Sequence, residues 1–143
     1  MSETARVITA NWGNDEVFAL DGYRANGGYE ALKAALGMTK AEVIDVVKAS
    51  GLRGRGGAGF PTGVKWEAVA AEPGPRYVVV NADEGEPGTI KDRYVMERRP
   101  HLMLEGMLVA MSFAEASEGF IYLREEYATA RGRLRRALDE FRA

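Results

Sequence analysis

Between Gly51 and Trp66 the chain reads GLRGRGGAGFPTGVKW, with six glycines in its first thirteen residues. Glycine lacks a Cβ, tolerates positive φ and lets backbone N–H groups approach a ligand closely, at an entropic cost an ordinary surface loop has no reason to bear. Successive N–H groups in such turns form an anion-binding nest, and a helix beginning after Pro61 would turn its positive end toward the same place. Lys65 adds a cation near that helix start. The chemistry this predicts is phosphate binding. Farther along, Asn81, Asp83, Glu84 and Glu86 come after the compact apolar run Tyr77 to Val80. They stand at the carboxyl end of a predicted strand, where open α/β sheets place their ligands. Carboxylates there could hold a ribose diol, ligate a metal or act as acid and base, and a solvated acidic loop fits their spacing equally well.

Other readings of these residues carry less. Gly54 to Gly59, G-R-G-G-A-G, matches the dinucleotide pattern G-x-G-x-x-G. That fingerprint stands after a strand and opens a helix, whereas here a helix precedes it and Phe60-Pro61 interrupts the helix that should open there. The Walker pattern fails because no glycine of the loop is followed by Lys and then Ser or Thr. An RNA-binding arginine-glycine box is a poor match for one short run in a slightly acidic globular chain. His101, the only histidine, comes after Pro100 at a predicted helix start and suits a structural role there. Met103, Met107 and Met111 recur at i, i+4, i+8, which reads as core packing.

The elements that must position these residues can be derived from periodicity. Residues 1–26 carry Asn11, Gly13, Asn14, Asp15 and Gly22 among few apolar residues and read as an extended arm with turns, of the kind that packs on a neighbour. Residues 27–143 read as the N-terminal part of an α/β domain. Tyr29, Leu32, Ala35 and Leu36 predict a short helix closed by Gly37, and Thr39 with Glu42 makes a capping-box pattern for a helix ending near Ser50. A helix over 63–72 stops at Pro73, Gly74 and Pro75 before a buried strand at Tyr77 to Val80. The polar stretch to about Thr89 reads as irregular, residues 102–116 as a helix, GFIYL from Gly119 as a second strand, and the stripe Tyr127, Ala130, Leu134, Leu138 and Phe141 as a closing helix. Strand, helix and strand in that order predict a right-handed βαβ unit with parallel strands. The fold class expected is α/β, a Rossmann-like open parallel sheet with flanking helices, incomplete with two strands.

Composition sets the limits. The 143 residues amount to one domain, and 46% hydrophobic with 28% charged residues is ordinary globular composition. A net charge of −2 argues against a surface built for nucleic acid. The absence of cysteine excludes disulfides, thiolate zinc sites and cysteine-ligated iron-sulfur clusters in this chain. No apolar run suits a secretion signal or a membrane helix.

With these stretches taken together, the chain resembles the flavin-binding, NADH-oxidising subunit of respiratory complex I, NADH:quinone oxidoreductase. The resemblance is carried by GLRGRGGAGFPTGVKW from Gly51, YVVVNADEGEPGTIKDR from Tyr77, HLMLEG from His101 and IYLREEY from Ile121, in family order. Diaphorase subunits of NAD-dependent formate dehydrogenases and bidirectional hydrogenases are similar in the same places. The resemblance implies that Gly54, Arg55, Gly56, Gly57 and Lys65 hold FMN and that Asn81, Asp83 and Glu84 complete this half of the flavin site. It implies that Phe60 stacks on the adenine of NADH and that Glu86 faces its ribose region, where a carboxylate accepts hydroxyl hydrogen bonds and repels a 2′-phosphate. Glu67 and Ala68 stand where a second stacking aromatic is often found, which leaves Phe60 more of that contact.

The implied chemistry is hydride transfer from nicotinamide C4 to flavin N5, then single-electron transfer to iron-sulfur clusters, with no side chain as acid or base and no metal ligand in this chain. Implied partners, besides NADH, are a thioredoxin-like 2Fe-2S subunit and the iron-sulfur subunit of the peripheral arm. The implied place is cytoplasmic, peripheral to the inner membrane, without nucleic acid or membrane insertion. The resemblance covers roughly the first third of the family's flavoprotein. Its second flavin segment with paired glutamates, its asparagine pair, its ubiquitin-like domain and the cysteine-bearing helical domain that holds a 4Fe-4S cluster have no counterpart in these residues. Weak or no activity of the chain by itself is therefore expected, and a non-catalytic subunit-docking module is the alternative.

Overall fold

The computed structural model describes residues 8–143. The elements run from a 3-10 turn (Asp15–Phe18) through helices α1 (Leu20–Ala25), α2 (Glu30–Leu36), α3 (Lys40–Ala49) and α4 (Thr62–Ala71) to strand β1 (Val78–Ala82). Helices α5 (Lys91–Arg98) and α6 (Pro100–Ala114), strand β2 (Gly119–Leu123) and helix α7 (Ala128–Arg142) complete the order. β1 and β2 lie side by side as a two-stranded parallel sheet with flanking helices, the α/β class expected. The chain divides into two compact units.

One unit comprises Glu30–Asn81 and Glu105–Tyr122. Its helix α3 starts as read, with a complete capping box: Glu42 N donates to the Thr39 hydroxyl at 3.3 Å and Thr39 N to the Glu42 carboxylate at 2.7 Å. Val43 and Ile44 then bury against Ala35, Phe113 and Ala114, and the Trp66 ring stacks on Phe113 with centroids 4.1 Å apart. α4 approaches α3 closely at Gly63, where an added Cβ would lie 2.7 Å from Lys48 N. The Arg76 guanidinium donates to the Ala114 carbonyl at 3.0 Å and to the Glu72 carbonyl at 2.8 Å, tying the ends of α6 and α4 together.

The other unit comprises the described residues up to Tyr29, Ala82–Leu104 and Leu123–Ala143. The stretch read as an extended arm is helical at Asp15–Phe18 and Leu20–Ala25, and Val17 and Tyr23 are buried. Its first seven residues lie outside the described ones. Aromatic contacts fold the rest of that stretch onto its own chain, with Trp12 stacked on Tyr94 at 5.8 Å and Phe18 beneath the Arg133 guanidinium at 4.4 Å. α7 buries Ala130, Leu134 and Ala137, three positions of one helical face.

Two further expectations need correction. The crossover between the strands holds two helices rather than one, because α5 forms just past the irregular stretch, in residues to which no element was assigned. Its N-cap residue, Ile90, has no side chain able to cap. Glu84 does the work instead: its carboxylate accepts from Asp92 N at 3.0 Å and Arg93 N at 3.2 Å, satisfying two N–H groups of the first turn and placing negative charge at the positive end of the helix. The strand read as buried is open on one face, where Val79 is 60% exposed beside Phe120 at 52% and Tyr122 at 64% on β2.

His101, second residue of α6, is wholly buried, and both ring nitrogens are bonded. Tyr29 Oη lies 2.8 Å from Nδ1 and a Glu140 carboxylate oxygen 3.1 Å from Nε2. These partners suit the neutral ring, which accepts from the tyrosine and donates to the glutamate. The same Glu140 oxygen accepts from Leu20 N at 2.8 Å, so this histidine links α6, α7 and α1. Burial pushes its pKa below the ordinary value, with nearby Arg24 and Arg136 acting in the same direction and Glu140 opposing.

Gly63→Ala should cost about 1–3 kcal/mol, since beside the Lys48 side chain it meets Lys48 N and Cα, backbone atoms that cannot rotate away. An unchanged melting temperature would contradict the close approach of α3 and α4. His101 also predicts a pH dependence. Below about pH 6.5 an unfolded histidine takes up a proton that the folded one resists, so its contribution is full above that pH and declines as pH falls. Urea unfolding at about pH 7.5 and about pH 5.5 should show a larger acid loss for the wild type than for His101→Gln. Equal losses would show that His101 is not the group responsible.

Candidate functional site

The glycine-rich loop is held at its base and open at its tip. Arg53 and Pro61 form an antiparallel bridge, with Thr62 N donating to the Leu52 carbonyl and Gly54 N to the Phe60 carbonyl, each at 2.9 Å. Arg53 Nη1 adds a bond to the Gly59 carbonyl at 3.1 Å. Between these fastenings Gly57 and Gly59 take φ of +114° and +61°, conformations L side chains rarely adopt. Gly56 is different: its φ is not positive, and an added Cβ would meet nothing within 4 Å. No neighbour among the described residues requires glycine there, and bare backbone at this point leaves room for a further group.

The loop runs directly into α4, whose first turn has no side-chain cap. Lys65 lies in that turn, and it and Arg55 are exposed and join no ion pair among the described residues. Backbone N–H groups at a helix start, a positive dipole end and exposed cations together form the donor set a phosphate monoester needs. These residues thus fit the phosphate end of FMN. Phe60, half exposed, presents a ring at the loop's edge.

Asn81, Asp83, Glu84 and Glu86 succeed one another at the carboxyl end of β1, as expected. Asn81 belongs to the strand itself and is exposed, on the face shared with Val79. Asp83 and Glu86 are exposed, while Glu84 is 7% exposed. The Glu84 carboxylate is engaged by the N-terminus of α5, so what it offers a ligand is its place in the turn rather than a free charge. Glu86 opens a β-turn over Glu86-Pro87-Gly88-Thr89. Thr89 N donates to the Glu86 carbonyl at 3.1 Å, and Gly88 supplies the φ of +84° that a type II turn asks of its third residue.

Two residues that sequence reasoning passed over belong here. Arg124 and Tyr127, just after β2, both donate to the Glu84 carbonyl, at 3.2 and 3.3 Å, and Arg124 Nε lies 3.6 Å from an Asp83 carboxylate oxygen. The available signal was their place, polar residues at the carboxyl end of the strand next to β1.

Comparison with known proteins agrees with these motifs. Residues 47–143 match the family described as the Nuo51 FMN-binding domain. An NADH-quinone oxidoreductase subunit of Aquifex aeolicus is 52% identical over 124 residues, 87% of this chain and 29% of that protein. Its counterpart in Streptomyces coelicolor is 49% identical over 137 residues, 95% of this chain and 30% of that protein. The HndC subunit of the NADP-reducing hydrogenase of Solidesulfovibrio fructosivorans is 47% identical over 138 residues, 96% of this chain and 28% of that protein. A solved chain of an air-oxidized NAD+-reducing NiFe-hydrogenase superposes with a TM-score of 0.70 at 32% identity, over 96% of this chain and 22% of that one. The chain thus spans about 30% of the length of the curated relatives it matches. With the glycine loop, both strands and the acidic turn all inside the matched region, this chain belongs to the Nuo51 FMN-binding domain family.

Proposed function

We propose that residues 27–143 supply the first half of a flavin site in an NADH-oxidising flavoprotein, and that in the whole protein a hydride passes from NADH to FMN and electrons leave singly through iron-sulfur clusters. The observation that carries this is the glycine loop: fastened at its base, bare at Gly56 and continuous with the uncapped start of α4. Gly54, Arg55, Gly56, Gly57 and Lys65 would hold the phosphate end of the flavin, with Asn81, Asp83 and the Glu84 turn contributing from the end of β1. Bound FMN would supply the two-electron acceptor. The chain's own residues bind and orient, and none is required as acid or base.

Phe60 would stack on the adenine of NADH, and Glu86 would accept hydrogen bonds from the adenosine ribose. No cluster forms in this stretch, which has no cysteine. A 4Fe-4S cluster would therefore be held by other parts of the protein, and the next carriers by a thioredoxin-like 2Fe-2S subunit and the iron-sulfur subunit of a peripheral arm. Among the described residues no helix is long and apolar enough to cross a membrane, which fits a place on the cytoplasmic side of the inner membrane, held there by the complex. The likeness to hydrogenase subunits favours a second reading with the same half-reaction, a diaphorase that hands its electrons to a hydrogenase.

Flavin fluorescence tests the phosphate cradle. FMN should be quenched on titration with a protein carrying this domain, and riboflavin, which lacks the phosphate, should bind at least about tenfold more weakly, the value of one charge-assisted contact. Lys65→Ala should narrow that gap. Equal binding of the two flavins would remove the loop from the flavin site. For the nucleotide, Glu86→Gln should lower the preference for NADH over NADPH by roughly tenfold, since one carboxylate facing a 2′-phosphate is worth about 1–4 kcal/mol near a surface. Steady-state kcat/KM for both nucleotides reads this, and an unchanged ratio would free Glu86 of the role.

A further inference from the structure

We infer that Arg124 and Tyr127, in the turn after β2, are positioning residues that fix the acidic turn after β1 and thereby the reach of Glu86. The inference rests on the reading of Glu86 as a nucleotide contact. Tyr127 N donates to the Arg124 carbonyl at 3.2 Å, so Arg-Glu-Glu-Tyr closes into one turn that brings both side chains to the same acceptor. Arg124 Nη1 and Tyr127 Oη bond the Glu84 carbonyl at 3.2 and 3.3 Å, filling both of its lone pairs. The side chain of the same residue is held by Asp92 N and Arg93 N, so Glu84 is fixed at main chain and side chain alike.

On the other flank, the Glu86 carbonyl is fixed by Thr89, through N at 3.1 Å and Oγ1 at 2.5 Å. Only Gly85 lies between the two fixed carbonyls, and an added Cβ there would sit 3.8 Å from Arg124 Nη1, the guanidinium that holds its neighbour. Arg124 is itself steadied by Glu126 at 3.3 Å and by Asp83 at 3.6 Å, and the Arg93 guanidinium lies 5.7 Å from the Tyr127 ring centroid. A solvated acidic loop needs none of this. A turn that must present one carboxylate at a set distance from a nucleotide does.

The test uses the complete flavoprotein within its complex, with NADH oxidation monitored through an artificial electron acceptor. Tyr127→Phe removes one donor and keeps the ring; Arg124→Lys keeps the charge but cannot span Asp83 and the Glu84 carbonyl together. Each should raise KM for NADH about three- to tenfold, the range one hydrogen bond supplies, with kcat per bound FMN within twofold and melting temperature nearly unchanged. Tyr127→Phe added to Glu86→Gln should raise KM no further. An unmoved KM, additive effects in the double variant, or a fall in kcat and FMN content without a change in KM would each overturn the positioning role. Should Glu86→Gln alone leave KM unchanged, the nucleotide reading fails, and this inference with it. A KM raised by Glu86→Gln but not by Tyr127→Phe removes the positioning role only.

Discussion

Glu84 carries two duties that depend on each other. Its carboxylate replaces the cap that Ile90 cannot provide, and its carbonyl is the shared acceptor of Arg124 and Tyr127. A carboxylate almost without solvent is tolerated because two helix N–H groups and the dipole behind them compensate the lost hydration. A carbonyl buried beside it is tolerated because two donors converge on it. Both sets meet at one residue, so the loop after β1, the start of α5 and the turn after β2 are joined through Glu84.

The groups around this anchor are exposed while the anchor itself is bonded at main chain and side chain. Asp83 and Glu86 face water on either side of buried Glu84, and the glycine loop shows the same division of labour, with bonded residues at the base and bare backbone at the tip. Fixing such segments before a ligand arrives reduces the ordering entropy that binding would otherwise demand. The His101 cluster does a comparable job for the helices, joining three of them through one neutral ring and one carboxylate.

What could be read from the residues alone depended on whether the cause was local. The α3 capping box, the glycine loop between two helices and the position of β2 all rest on neighbours a few residues apart, and the structure has them where the sequence puts them. α5 went unread because its cap comes from Glu84 on the far side of a loop, and its own composition is mostly charged. The N-terminal stretch looked extended because Asn and Gly dominate it, whereas its short helices are held by Trp12 on Tyr94 and Phe18 under Arg133, contacts invisible to any window. In the site, residue types marked the acidic turn, but that the Glu84 carboxylate is buried against a helix start was decided by α5.

The open face of the sheet bears on how this polypeptide behaves in water. Among the described residues Val79, Phe120 and Tyr122 lie on a sheet two strands wide, with Tyr77 tilted toward Phe120 at 6.2 Å. Hydrophobic side chains in such a row lower their free energy by finding any similar surface, and parallel strands with unpaired flanks offer a template for it. Colloidal behaviour of these residues in isolation is therefore governed by that row more than by a net charge of −2, and mild detergent or a covering polypeptide, rather than low salt, is what would keep them dispersed.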